Sequence, residues 1–150
     1  MATVEVTFTP LPAHVRTARL VATAVARRSG VDESLLDEVR LAVGEACSRA
    51  VEAHQRHCPA EPVRIEMTDQ DQRFVVTVSD HAPTATGRRA ATAPVSEGTS
   101  QHGVGRDGGS AIPAGFGLAV ISGLADDVRV LSTSSGVTVR MSWPSAAGPS

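Results

Sequence analysis

Three ionised side chains stand in line near the middle of this 150-residue chain. Glu45, Arg49 and Glu52 lie at i, i+4 and i+7 within DEVRLAVGEACSRAVEAH, Asp37 to His54, so a helix carries all three along one line. Such a line is an ordinary solvated surface unless the rest of the chain turns it toward a site. A second group, His54, His57 and Cys58, has metal-ligand side chains but no second pair at the spacing structural zinc sites use, and no metal site is expected. Histidines near the carbonyl end of a helix already have a role in offsetting its dipole. A third candidate is Gly115-Phe116-Gly117 directly ahead of LAVISGLADD. Glycine lets the backbone approach a ligand, and the amides of a first helical turn favour an anion.

The elements that must position these residues follow from periodicity. Leu36, Val39, Val43, Ala46, Cys47, Ala50 and Ala53 recur at three- and four-residue steps, which predicts an amphipathic helix from Asp32 or Ser34 to about His54 with Asp32 as its cap. Val4, Val6 and Phe8 alternate with polar residues as in a half-buried strand. Pro10 and Pro12 end that strand, and a helix follows from Ala13 or His14 to about Arg28, closed by Ser29-Gly30. Val63 to Met67 and Phe74 to Asp80 read as an antiparallel hairpin joined through 68–73. His81 to Pro113 consists almost wholly of Ala, Thr, Gly, Ser, Pro and a few charges, too little apolar surface to order itself; a loop of this length reads as a functional lid. A short helix from Leu118 and two strands, Asp127 to Thr133 and Gly136 to Trp143, complete the pattern, with a disordered tail from Pro144. The expected architecture is an α/β (α+β) two-layer sandwich in one domain, residues 1–143, with three helices on one face of a mixed four- to five-stranded sheet.

Composition excludes several classes. Aromatic residues make up 3% of the chain and the formal charge is −2, so there is neither a stacking platform nor a basic field for nucleic acid. No run approaches the roughly 20 apolar residues of a membrane span, and the N-terminus lacks the build of a signal peptide. A cytoplasmic protein is expected, with Cys47 and Cys58 as thiols.

Glu45 to Val51 (EACSRAV) on a helix, a strand ending in Ser79-Asp80, a long lid, and GFGLAVISGLADDV (Gly115 to Val128) together resemble the anti-sigma-factor serine kinases of Gram-positive bacteria. These belong to the ATPase superfamily shared with histidine kinases, gyrase and the Hsp90 chaperones. The resemblance spans roughly residues 4 to 143, and the Ala-, Val- and Arg-rich composition is similar to that of the small actinobacterial regulators of Streptomyces. It implies a Bergerat-type ATPase fold holding ATP between the central helix and the lid, and partners comprising a sigma factor, an anti-anti-sigma (STAS) protein and a second copy of the chain. By resemblance Glu45 is the general base toward a partner serine, and Asp80 accepts the hydrogen bond of the adenine amino group. Gly115, Gly117 and Leu118 bind the nucleotide at the phosphate-side hinge, and Thr138 supports the adenine pocket. The charged line then becomes the floor of a nucleotide pocket.

Two motifs depart from that pattern. The family's magnesium ligand is an asparagine four residues after the glutamate, and here Arg49 occupies that position; a guanidinium offers donors alone and cannot coordinate Mg²⁺. Asp80 should open Asp-x-Gly-x-Gly, but His81, Ala82, Pro83 and Thr84 follow it. Arg49 has two uses open to it: an i, i+4 pair with Glu45, contributing about 0.2–0.5 kcal/mol when exposed, or direct contact with phosphate. Without the metal, charge in phosphoryl transfer goes unneutralised. The expectation is therefore an anti-sigma-like binding regulator with little or no kinase activity. The alternatives are an active serine kinase and a sensor that binds another nucleotide or anion through Arg49 and the Gly115-Gly117 turn.

Overall fold

The computed structural model describes residues 2–82 and 114–145, with side chains from Thr3 to Ala82 and from Ala119 to Ser145. Apart from His81 and Ala82, the expected lid lies outside the described residues, as does most of the expected tail. Strand β1 (Ala2–Phe8) is followed by α1 (Pro12–Arg28), a 3₁₀ turn (Glu33–Leu35), α2 (Leu36–His57), β2 (Val63–Gln70), β3 (Arg73–Ser79), α3 (Ala114–Leu124), β4 (Asp127–Thr133) and β5 (Gly136–Pro144). The five strands form one sheet in the order β1-β2-β3-β5-β4.

Every adjacent pair in this sheet is antiparallel, which corrects the expectation of a mixed sheet. The reason lies in the connections. Two helices in succession separate β1 from β2, so the chain reverses three times, an odd number, and returns antiparallel. β4 runs in the same direction as β3, but β5 inserts between them and pairs antiparallel with both.

Strand alternation sets the faces. Val6, Ile65, Val78 and Val139 lie in one cross-strand row and Met67, Val76 and Met141 in the next, with Ile65, Met67 and Val76 fully buried on the helical side. Burying side chains of this size stabilises the fold by about 1.5–3 kcal/mol each. The opposite face carries Glu5, Arg64, Glu66 and Arg140; Arg64 spans Glu5 and Glu66 there. The β2–β3 connection is tighter than the sequence implied. Gln70 pairs with Arg73, so Asp71 and Gln72 alone make the turn, at φ values of 53° and 59°. Positive φ at both central residues is the primed turn whose twist suits a hairpin.

The helical layer is built around α2. Ten of its residues are buried, from Leu36 to His54, and it packs against α1, α3, β2 and β3. Ala18, Ala22 and Ala26 of α1, with Gly44, Ala46 and Ala50 of α2, are buried small residues, so a chain poor in aromatics closes its helices onto one another by near approach. Gly30, at φ 92°, ends α1, and the Val31 amide donates back to the Ala26 carbonyl at 3.1 Å, the helix stop read from Ser29-Gly30. Asp32 accepts from the Ser34 amide at 2.9 Å and so caps the 3₁₀ turn; α2 itself starts at Leu36. At the other end of the sheet Trp143 is buried and its indole donates to the Leu124 carbonyl at 3.2 Å, fixing the end of α3 on β5.

Candidate functional site

The charged line on α2 divides. Arg49 turns toward the sheet and its Nη2 donates to Asp80 Oδ2; the side chains are 12% and 1% exposed. Of the two uses open to Arg49, the pair with Glu45 is not made: Arg49 binds Asp80. The physical reason is burial. At the edge of the core face a guanidinium needs a partner in the same low-dielectric region, and Asp80, at the C-terminal end of β3 on the helical side, supplies it, whereas an exposed carboxylate would offer little.

Asp80 has further partners. Its Oδ1 accepts the Ala82 amide at 3.0 Å and the Val137 amide at 3.2 Å, while its own amide donates to the Val137 carbonyl at 3.0 Å. Gly136 makes this approach possible: a Cβ there would stand 2.1 Å from the Asp80 carbonyl oxygen, and its φ is 152°. Beyond it, His81 donates its amide to His54 Nε2 at 2.8 Å, and His54 Nδ1 lies 2.8 Å from the Glu61 carbonyl. Nε2 accepts, so the proton is on Nδ1 and the fully buried ring is neutral. The end of β3 is thus tied to α2 by Arg49, to β5 by Val137 and to the C-terminal turn of α2 by His54. His54, read as a helix-terminal residue, uses both ring nitrogens on backbone groups, and no metal-binding cluster forms among the described residues.

Glu45 and Glu52 face elsewhere. With Leu41, Ser48 and Gln55 they form the floor of a groove of about 580 Å³, walled by Pro12, Val15 and Arg19 of α1 and by Val120 and Leu124 of α3. Thr138 stands on β5 between Val137 and the buried Val139 and pairs with Ser79, so alternation puts its side chain on the sheet face opposite the helices. Val137, one position earlier, is the residue that meets Asp80. Gly115, Gly117 and Leu118 fall within the first turns of α3, so the helix begins before the glycines instead of after them.

The carboxylate that would receive the adenine amino group already takes three donors and is almost fully enclosed. The residue at the metal-ligand position contributes a positive charge. Arg49 Nε is buried without an acceptor among the described residues, so the ion pair is made through one arm of the guanidinium.

Two residues of this constellation were not picked out as parts of a site, Val137 and Gly136. Alternation along GVTVRMSW gives the helical face to 137, 139, 141 and 143, and that signal was available. The close approach of Gly136 to Asp80 depends on the β3–β5 register, which sequence does not display.

Comparison with known proteins bears on class and then on fold. Residues 8–143 match the histidine kinase-like ATPase domain, and the chain belongs to that family. Membership suggests nucleotide binding. Among solved structures, the crystal structure of the RsbU and RsbW domains of Rv1364c from Mycobacterium tuberculosis is similar, at 16% identity and a TM-score of 0.65, over 97% of this chain and 33% of that one. The chain spans about a third of that structure's length, and the likeness is one of fold. No curated protein matches. No helix among the described residues is long and apolar enough to cross a membrane.

Proposed function

We propose that the chain is a cytoplasmic partner-switching regulator of transcription that binds a sigma factor, an anti-anti-sigma STAS protein, or both, and does not phosphorylate its partner. The observation that carries this reading is the enclosed Arg49–Asp80 pair, which occupies the group an ATPase of this fold would need for adenine. The fold likeness to a structure containing an RsbW domain supports the partner class. A second copy of the chain would pair along β1, an edge strand of the sheet, with the adjoining face of α1. The test is co-purification with candidate sigma and STAS proteins, followed by incubation of any complex with radiolabelled ATP. The proposal expects a stable complex and no label on the partner. Failure to bind either class would overturn it.

A second reading, an active serine kinase, draws on Glu45. This carboxylate faces the open groove and has no hydrogen-bond or ion-pair partner among the described residues, as a general base awaiting a hydroxyl would. Label transfer abolished by Glu45→Ala would establish it. The sensor reading loses its guanidinium, because Arg49 is engaged by Asp80.

A further inference from the structure

The groove between α1 and α3 has a charge pattern and a shape of its own. Its floor is one face of α2, from Leu41 to Gln55, about 21 Å at 1.5 Å per residue. Along it Glu45 and Glu52 are separated by two turns, about 10 Å, and neither carboxylate has a partner among the described residues. Apolar surface flanks them. Leu41 is 48% exposed and Val120 39% exposed, with Leu124 of α3 beside them and Pro12 and Val15 opposite. On the α1 wall Arg19 lies flat across Gly44, where a Cβ would come within 2.7 Å of its Cδ. Glycine inside a helix costs roughly 1 kcal/mol relative to alanine, and here its absent side chain is what lets Arg19 cross α2 and reach the groove.

We propose that this groove is a docking site for an amphipathic helix of a protein partner, presenting lysine or arginine to Glu45 and Glu52, apolar side chains to Leu41, Val120 and Leu124, and an acidic residue to Arg19. Charge complementarity selects the occupant. Two carboxylates in one line seven residues apart match basic side chains at i and i+7 of an approaching helix, and exposed apolar residues on the same floor supply contact area an ion pair alone lacks. A small anion would meet the carboxylates, and a purely apolar ligand would leave them desolvated without partners. The inference rests on the reading that this protein acts by binding another protein, and it assigns the surface used.

The test uses the full chain and two fluorescein-labelled 16-residue helical peptides followed by anisotropy. One carries lysines at i and i+7 with leucines at i+3 and i+4; the other has glutamates in place of the lysines. The lysine peptide is expected to bind saturably and one to one, and the glutamate peptide at least ten-fold more weakly. Leu41→Asp and Glu52→Lys, both at exposed positions, should each weaken the lysine peptide at least ten-fold. Glu66→Lys on the far face of the sheet should change binding less than two-fold. Absence of saturable binding, equal binding of both peptides, or equal effects of Glu52→Lys and Glu66→Lys would overturn the proposal. The same variants distinguish it from the functional reading: a sigma or STAS partner retained undiminished by Leu41→Asp and Glu52→Lys would remove the groove as its seat and leave the regulator intact.

Discussion

Replacing Arg49 by methionine separates a buried structural ion pair from a surface one. Methionine keeps most of the length and apolar stem of arginine and removes the charge, leaving the Asp80 carboxylate 1% exposed with two backbone donors, Ala82 and Val137, at 3.0 and 3.2 Å. Breaking a buried pair from one side costs about 3–5 kcal/mol. The two surviving amide bonds hold the value near the lower end, about 3 kcal/mol. In a chain of this length 1 kcal/mol moves the midpoint by about 2–4 °C, so Arg49→Met should lower Tm by roughly 6–12 °C in a thermal melt followed by circular dichroism. Adding Asp80→Asn neutralises the stranded charge while Oδ1 still accepts both amides, and should recover about 1–2 kcal/mol. Arg40, 46% exposed and paired with Asp37 at 2.9 Å, is the comparison; Arg40→Met should cost under about 0.5 kcal/mol. Equal losses at Arg49 and Arg40, or strict additivity of Arg49→Met with Asp80→Asn, would refute the claim that Arg49 and Asp80 form one buried unit.

Other predictions follow from single residues. Gly136→Ala forces a methyl group against the Asp80 carbonyl at a backbone angle that L residues avoid, and should lower stability by more than about 2 kcal/mol in urea titration. Gln72→Gly relieves a non-glycine residue at φ 59° and should raise stability by about 0.5–1 kcal/mol, because glycine adopts that angle without steric cost. Burial pushes the Cys47 thiol up from 9.0 to about 12. It should therefore resist an aromatic disulfide reagent at pH 8 until denaturant is added, while the partly exposed Cys58 reacts in the native state. The raised thiol also sets a pH dependence: its stabilisation is complete below pH 9.0 and is lost as pH rises toward about 12, at up to about 1.4 kcal/mol per unit. Cys47→Ala should flatten that slope.

Most of the architecture could be read from period alone. The apolar stripe of α2, the alternation in Val63 to Met67 and Phe74 to Asp80, and the stop at Gly30 are local signals, and each element forms where its signal lies. The antiparallel character of the sheet and the insertion of β5 between β3 and β4 depend on how connections return, which no window of sequence contains. Contacts between residues far apart in sequence are not contained in any local pattern. Arg49 and Asp80 are 31 positions apart, and helical spacing suggested the nearby Glu45 as the partner of Arg49. Burial decided otherwise, since the carboxylate inside the core outcompetes the one in the groove. Thr138 stands one position from Val137, and in a strand one position exchanges the two faces.

If the Arg49–Asp80 pair closes the nucleotide site, the unmodified protein takes up no nucleotide. Calorimetric titration of the unmodified protein with Mg-ATP tests it most directly. No heat of binding is expected at millimolar nucleotide, with or without magnesium; saturable, magnesium-dependent binding would show the pair to be open to nucleotide.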